Sequence, residues 1–198
     1  ENGIVGIASL EEHGVHLFST PFDPTAVDFL ETCDVPAYKV ASFELTYHPL
    51  LERIGQTGKP VIMSTGLSTH EEIVESVGIL LASGAPQVAL LKCTSAYPAS
   101  ITDLNLTLIP RMVADFGLPI GYSDHTIGNT AAIAAVGLGA CIIEKHVKGA
   151  ASTGSADESF STLPDDLAAL VAACKMAHAA RGHAQYGPTD SELESLHF

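Results

Sequence analysis

Short apolar runs recur along this chain at intervals of about 25 residues, each followed by a stretch with helical spacing. That alternation narrows the fold more than any single motif. The runs are Val15–Thr20, Ala37–Ser42, Pro60–Thr65, Val88–Ser95, Leu118–Ser123 and Ala140–His146. Most are apolar on both faces, the pattern of strands covered on both sides in a parallel sheet. Strand followed by helix, six times over, predicts βαβ units in an α/β fold. A doubly wound sheet and a TIM (β/α)8 barrel share this grammar. No glycine-rich nucleotide loop follows any strand, and polar residues gather at nearly every strand's C-terminal end, where barrel active sites lie. Both features favour the barrel. Six units do not close eight strands, so the expectation is a partial barrel of about six βα units over residues 1–186.

Start and stop signals mark the helices. Asp23 precedes Pro24 as an N-cap before a first-turn proline. Ser68 with Glu71, or Thr69 with Glu72, fits a capping box ahead of Ile73, Val77, Leu80 and Leu81, and Gly84 stops that helix. Further helices are expected over Leu104–Phe116, over Asn129–Gly137 and from Pro164, with Leu167, Leu170, Val171 and Cys174 on one side.

Composition excludes several classes. Apolar residues make up 46% and charged residues 16%, the balance of a globular protein rather than a disordered one. A net charge of −14 with only nine Lys and Arg argues against nucleic acid as a partner. No run approaches the roughly 20 apolar residues that span a bilayer, and no membrane partner is expected. The four cysteines lack CxxC spacing and are read as buried reduced thiols of a cytoplasmic protein.

The strand ends carry the chemistry. In order they present Thr20, then Lys39 with Ser42 and Glu44, Ser64, Ser95 with Tyr97, Ser123 with His125, and Glu144 with His146. Any one hydroxyl reads as an N-cap; six clusters in register point to a site. His125 and His146 end neighbouring strands, so both imidazoles can meet at the barrel mouth. Strand alternation puts Ser123 with His125, and Glu144 with His146, and turns Asp124 and Lys145 away. Two histidines and a carboxylate suit a divalent ion such as Mn²⁺, Co²⁺ or Fe²⁺. Lys39, flanked by apolar residues, reads as a Schiff-base nucleophile, as a fixed cation for phosphate or carboxylate, or as a lysine reaching solvent from a strand end.

Six segments carry a family resemblance: Phe18-Ser-Thr-Pro-Phe-Asp23, Tyr38-Lys-Val-Ala-Ser-Phe-Glu44, Lys59-Pro-Val-Ile-Met-Ser-Thr-Gly66, Leu91-Lys-Cys-Thr-Ser-Ala-Tyr-Pro98, Gly121-Tyr-Ser-Asp-His-Thr-Ile-Gly128 and Ile143-Glu-Lys-His146. In order and spacing they resemble the sialic acid synthase family. Within it, Ala41–Glu44 and Leu91–Pro98 resemble the pseudaminic acid synthases; N-acetylneuraminate synthases have Gly-Ser-Gly-Glu at the first segment and Asn at position 95.

The resemblance implies a transferase that condenses phosphoenolpyruvate with an acetamido-sugar aldehyde and water, releasing phosphate by C–O cleavage. For the pseudaminic branch the sugar is 2,4-diacetamido-2,4,6-trideoxy-L-altrose; N-acetylneuraminate or legionaminate synthesis is the alternative. By the same resemblance, His125 and His146 hold the metal, Mn²⁺ first and Mg²⁺ or Co²⁺ next. Thr20, Lys39, Ser42, Ser64, Ser95 and Ser123 contact substrate. Glu44, Tyr97, Glu144 and Asp157 form the catalytic set, with Asp157 on the loop after the last strand. Alternation would nevertheless turn Lys39 and Ser42 to opposite faces, which a bulge or twist would reconcile.

Family members are homodimers that begin with two further βα units and end in a small antifreeze-like domain. Residues 1–13 read as the tail of the second unit, and 187–198 as the start of the linker to that domain. Little or no turnover by this polypeptide alone is the resulting expectation. Two other readings stand beside the synthase: a lysine-dependent aldolase working through Lys39, and an inactive barrel fragment.

Overall fold

The computed structural model describes residues 14–151, 154–193 and 195. Five parallel strands form one sheet: β1 Tyr38–Val40, β2 Val61–Ser64, β3 Val88–Cys93, β4 Ile120–Asp124 and β5 Ile143–Lys145. Their spatial order is β1-β2-β3-β4-β5, so each strand lies beside the next in sequence, and the sheet curls into part of a barrel. Helices connect them: α1 Pro24–Thr32, α2 His48–Gly55, α3 His70–Ser83, α4 Leu108–Phe116, α5 Thr130–Gly137 and α6 Pro164–Ala180, with a short α7 at Asp190–Leu193.

The double-sided apolar pattern has the expected consequence. All residues of β1 and β4 are buried, and only β5, at the sheet's edge, is half-buried throughout. The core lies between the sheet and the helices, with Tyr38, Val40, Leu51, Ile54, Met63, Leu80, Leu90 and Ile109 at its centre. Gly55 lets α2 and α3 approach closely, since a Cβ there would stand 2.6 Å from Ser83 Cβ and 2.8 Å from Leu80 O.

Several boundaries differ from expectation. Val15–Thr20 does not form a strand; it contributes one parallel bridge, Ser19 to Tyr38. The first unit therefore joins the sheet through one residue. Leu104–Phe116 is not one helix: a 3₁₀ turn, Ile101–Asp103, comes first, and Asn105 in the left-handed region (φ 47°) breaks the chain before α4. The four cysteines are free thiols, but only Cys93 is buried and Cys141 is exposed. Residues 1–13 and most of 194–198 lie outside the described residues, and with them the readings placed there.

Of the two candidate capping boxes, Thr69 with Glu72 forms. Thr69 Oγ1 accepts from Glu72 N at 3.2 Å, and Glu72 Oε2 accepts from Thr69 N at 2.7 Å. Replacing Thr69 with Ala should lower stability by about 1 kcal/mol. Urea denaturation should show it as a lower midpoint at unchanged slope; an unchanged midpoint would mean the cap contributes nothing.

Candidate active site

The C-terminal ends of the strands surround a pocket of about 360 Å³ whose wall includes Thr20, Lys39, Ser42, Ser64, Ser123, His125, Glu144 and His146. Lys39, in the middle of β1, is buried, and its Nζ donates to Ser64 Oγ at 2.7 Å and to Val40 O at 2.8 Å. Glu144 Oε2 lies 3.6 Å from the same nitrogen. Burial holds the Lys39 ammonium below the ordinary lysine pKa, and the Glu144 carboxylate works in the opposite direction. Glu144 Oε1 accepts from Ser123 Oγ at 2.8 Å. The register explains that contact, because Ser123 pairs with Glu144 across β4 and β5.

The apparent conflict between Lys39 and Ser42 disappears in the backbone. β1 ends at Val40, and Ser42 opens a 3₁₀ turn, Ser42–Glu44, so strand alternation does not reach it. Ser42 Oγ then accepts from Gly66 N at 3.0 Å. A Cβ on Gly66 would collide with Ser95 Oγ and stand 2.8 Å from Ser42 Oγ, so the two hydroxyls and the Gly66 backbone form a small cradle. In the same turn, Glu44 Oε2 is buried with no hydrogen-bond partner among the described residues.

Four rings fill the far side. Tyr97 lies over His125 with centroids 4.3 Å apart, and Phe160 meets His146 edge-on at 5.0 Å. The imidazole centres of His125 and His146 are 5.3 Å apart. Nitrogen ligands at about 2.1 Å from one ion, at a tetrahedral angle, have ring centres roughly 5 Å apart. His125 Nδ1 faces Thr94 O at 3.1 Å, and His146 Nδ1 faces Asp157 Oδ2 at 3.5 Å. The Thr94 carbonyl can only accept, so that contact sets the His125 tautomer with Nε2 able to bind a cation, and Asp157 faces Nδ1 of His146. The pair therefore fits a divalent ion. Among the described residues no third His, Cys, Asp or Glu completes a set, so water and substrate would supply the remaining ligands.

Burial disfavours charge on both imidazoles. At His125, contacts with Cys93 and Thr94 outweigh burial and raise the pKa; at His146, burial and the neighbouring His125 lower it. Burial also raises Tyr97 above the ordinary tyrosine value.

The structure thus brings the twelve sequence-selected residues to one end of the sheet. Glu44, Ser95 and Asp157 flank the pocket, through the Ser42 turn, the Gly66 cradle and His146 respectively. Two residues were missed. Cys93 lines the pocket 3.9 Å from His125 Nδ1; burial raises its thiol pKa, but His125, Ser42 and Ser95 together bring it below the ordinary value. The sequence marks it only as a buried thiol, although its place in Lys92-Cys-Thr-Ser95 is a usable signal. Phe160 is buried in the loop after β5, where sequence spacing carries no information.

Asp124 and Lys145 pair with each other, and Lys145, expected to turn away, also borders the active pocket. Lys145 Nζ lies 2.8 Å from Asp124 Oδ2, with side chains 2% and 0% exposed, and also donates to Thr126 O at 2.9 Å.

A sequence profile of the NeuB family matches residues 7–186. The chain belongs to the NeuB family. Among relatives, a pseudaminic acid synthase of Helicobacter pylori is 37% identical over 182 residues, covering 92% of this chain and 54% of that protein. An N,N'-diacetyllegionaminic acid synthase of Legionella pneumophila is 36% identical over 184 residues, 91% of this chain and 52% of its own length. This NeuB chain thus spans about half the length of these curated relatives. A crystal structure of the N-acetylneuraminic acid synthetase of Leptospira borgpetersenii in complex with citrate superposes with a TM-score of 0.90. It is 32% identical, over 98% of this chain and 68% of that one. No helix among the described residues is long and apolar enough to cross a membrane.

Proposed function

We propose that this NeuB family chain forms the catalytic face of a phosphoenolpyruvate-dependent nonulosonic acid synthase. The reaction joins C3 of phosphoenolpyruvate to the aldehyde carbon of an acetamido sugar. Water adds at C2, the C2–O bond breaks, and phosphate leaves. The observation that carries this reading is the convergence of Lys39, Ser42, Ser64, Ser123 and Glu144 with two imidazoles in one pocket. Its volume suits a small polar substrate.

The residues divide the work by chemistry. Lys39, fixed by Ser64 and Glu144, sets a cation against carboxylate or phosphate. The Ser42, Gly66 and Ser95 cradle offers hydroxyls to oxyanion oxygens, and Thr20 and Ser123 complete the anion contacts. Glu144 holds or moves a proton at the water that attacks C2, a role supported by its contacts with Ser123 and Lys39. Glu44 offers its unpartnered oxygen to a sugar hydroxyl, and Tyr97 and Asp157 close the sugar's side. A divalent metal, Mn²⁺ foremost, would be held by His125 and His146 and would supply positive charge at the aldehyde oxygen.

For the sugar we propose 2,4-diacetamido-2,4,6-trideoxy-L-altrose, on the strength of Ala41–Glu44 and Leu91–Pro98. The relatives' identities, 37% and 36%, differ too little to separate pseudaminic from legionaminic substrates. Cytoplasmic location and a homodimer complete the proposal.

The test is phosphate release from phosphoenolpyruvate by the purified protein with Mn²⁺ and that sugar, against N-acetylmannosamine and a chelated control. Metal-dependent release with the first sugar alone would support the synthase reading and its pseudaminic branch; no release would support the inactive-fragment reading. Release without any acetamido sugar would overturn the synthase reading. Borohydride trapping of pyruvate on Lys39, indifferent to chelator, would support the aldolase instead.

A further inference from the structure

Three lysines project from the sheet into buried surroundings, on β1, β3 and β5, and two of them face carboxylates. Lys39 has Glu144 and Lys145 has Asp124. Lys92 is 7% exposed, yet among the described residues it makes no ion pair. Its Nζ donates to two neutral acceptors, Cys93 O at 3.0 Å and Thr94 Oγ1 at 2.9 Å. An ammonium carries three donors, so one N–H is left over. A buried cation without a carboxylate partner is costly to a fold; burial holds the Lys92 pKa below its ordinary value, and the neighbouring Cys93 works in the opposite direction.

Lys92 borders a pocket distinct from the active one. It lies between α3 and α4, has a volume of about 250 Å³, and combines polar residues (Thr65, Ser68, His70) with the apolar Ile73, Leu108 and Met112. The rings of His70 and Phe116, 5.2 Å apart, form part of its wall. Asp115 also lines it, but that carboxylate is engaged by Arg111 at 2.7 Å. A cation, hydroxyls and an apolar surface in one enclosure match a ligand that has both a charge and a hydrocarbon body.

We infer that this pocket is a second ligand site, which takes a small oxyanion, carboxylate or phosphate ester, on a short apolar body. The charge meets Lys92 and the body lies against Ile73, Leu108 and Met112. The site stands apart from the proposed chemistry and does not depend on it, although the two pockets are adjacent. Cys93 lines both, and Thr65 follows Ser64 of the active pocket directly. Occupancy therefore bears on the end of β3, where the active pocket gets part of its wall.

Methyl-labelled methionine reports on this without any turnover assay. Of the three methionines, Met112 lines the pocket, Met63 lies in the core and Met176 is exposed on α6. Titration with 3-methylbutanoate and with isobutyl phosphate should shift the Met112 methyl signal saturably and leave the other two in place. The neutral 3-methylbutanamide should leave all three in place. Lys92→Met should weaken anion binding by roughly tenfold or more, the worth of a hydrogen bond to a charged group. No saturable Met112 shift, or an equal shift with the amide, would overturn the inference. Unchanged affinity in Lys92→Met would do the same. Inorganic phosphate binding as tightly as the ester would overturn the ligand class, since the apolar body would then contribute nothing. If Lys92→Met fails to fold, the comparison of amide and carboxylate on the native protein decides.

Discussion

Lys145→Met should cost about 3–5 kcal/mol of stability, the expected effect of stranding one partner of a buried ion pair. Asp124 is fully buried and Lys145 nearly so, and their 2.8 Å contact joins adjacent strands at the sheet's half-buried edge. Removing the ammonium leaves a carboxylate that neither solvent nor another cation among the described residues reaches. Asp124 Oδ1 meanwhile keeps its bonds from Thr126 N at 2.9 Å and Thr126 Oγ1 at 2.8 Å. The double variant Asp124→Leu with Lys145→Met removes both charges and should recover part of the loss. Recovery stays partial because Thr126 N–H then lacks its acceptor, a penalty of about 1–3 kcal/mol. Urea titrations of the three proteins measure both quantities. A single variant within about 1 kcal/mol of wild type would show that the pair does not hold this edge.

Gly66→Ala separates stability from chemistry. Its Cβ would enter the space between Ser42 Oγ, at 2.8 Å, and Ser95 Oγ. Both neighbours are ends of small side chains that can rotate aside, and no positive φ at Gly66 demands glycine. The fold should therefore survive, with a melting temperature a few degrees from wild type. Oxyanion binding should not, because the methyl occupies the cradle itself. The expected loss in kcat/KM for phosphoenolpyruvate is on the order of 100-fold, the scale on which misplaced binding groups act. Calorimetric titration with phosphoenolpyruvate checks the binding part directly. Undiminished affinity in a folded variant would remove the cradle from the proposed site.

Which parts of this were legible beforehand follows from how local each signal is. The strands of the sheet were legible because burial on both faces leaves near-continuous apolar runs, as in Val88–Cys93. Polar residues interrupting such runs towards one end, Ser64 or Ser123, marked the site for the same reason. Val15–Thr20 has the same composition but forms a single bridge, since whether an edge segment pairs depends on its neighbours and not on its own residues. The cradle was not legible: Ser42, Gly66 and Ser95 come from three separate strand ends, and the 3₁₀ turn that redirects Ser42 has no sequence signature. Phe160 packs against His146 only because of how its loop folds back. The Asp124–Lys145 pair was half legible, since alternation turned both residues outward, and the register that joins them follows from equal 21-residue offsets to Ser123–Glu144.

The strand order has a consequence for how the chain reaches its structure. Every sheet pairing links a strand to the next one in sequence, with one helix or helical connection between, so no pairing waits for a distant segment. Contact order is therefore low for a parallel sheet, and loop-closure entropy is met in small, similar increments. Such a chain can add one unit at a time as it emerges from the ribosome, each new strand using the previous one as its template. Growth of that kind makes β5 the last of the described strands to join the sheet, with β4 as its template.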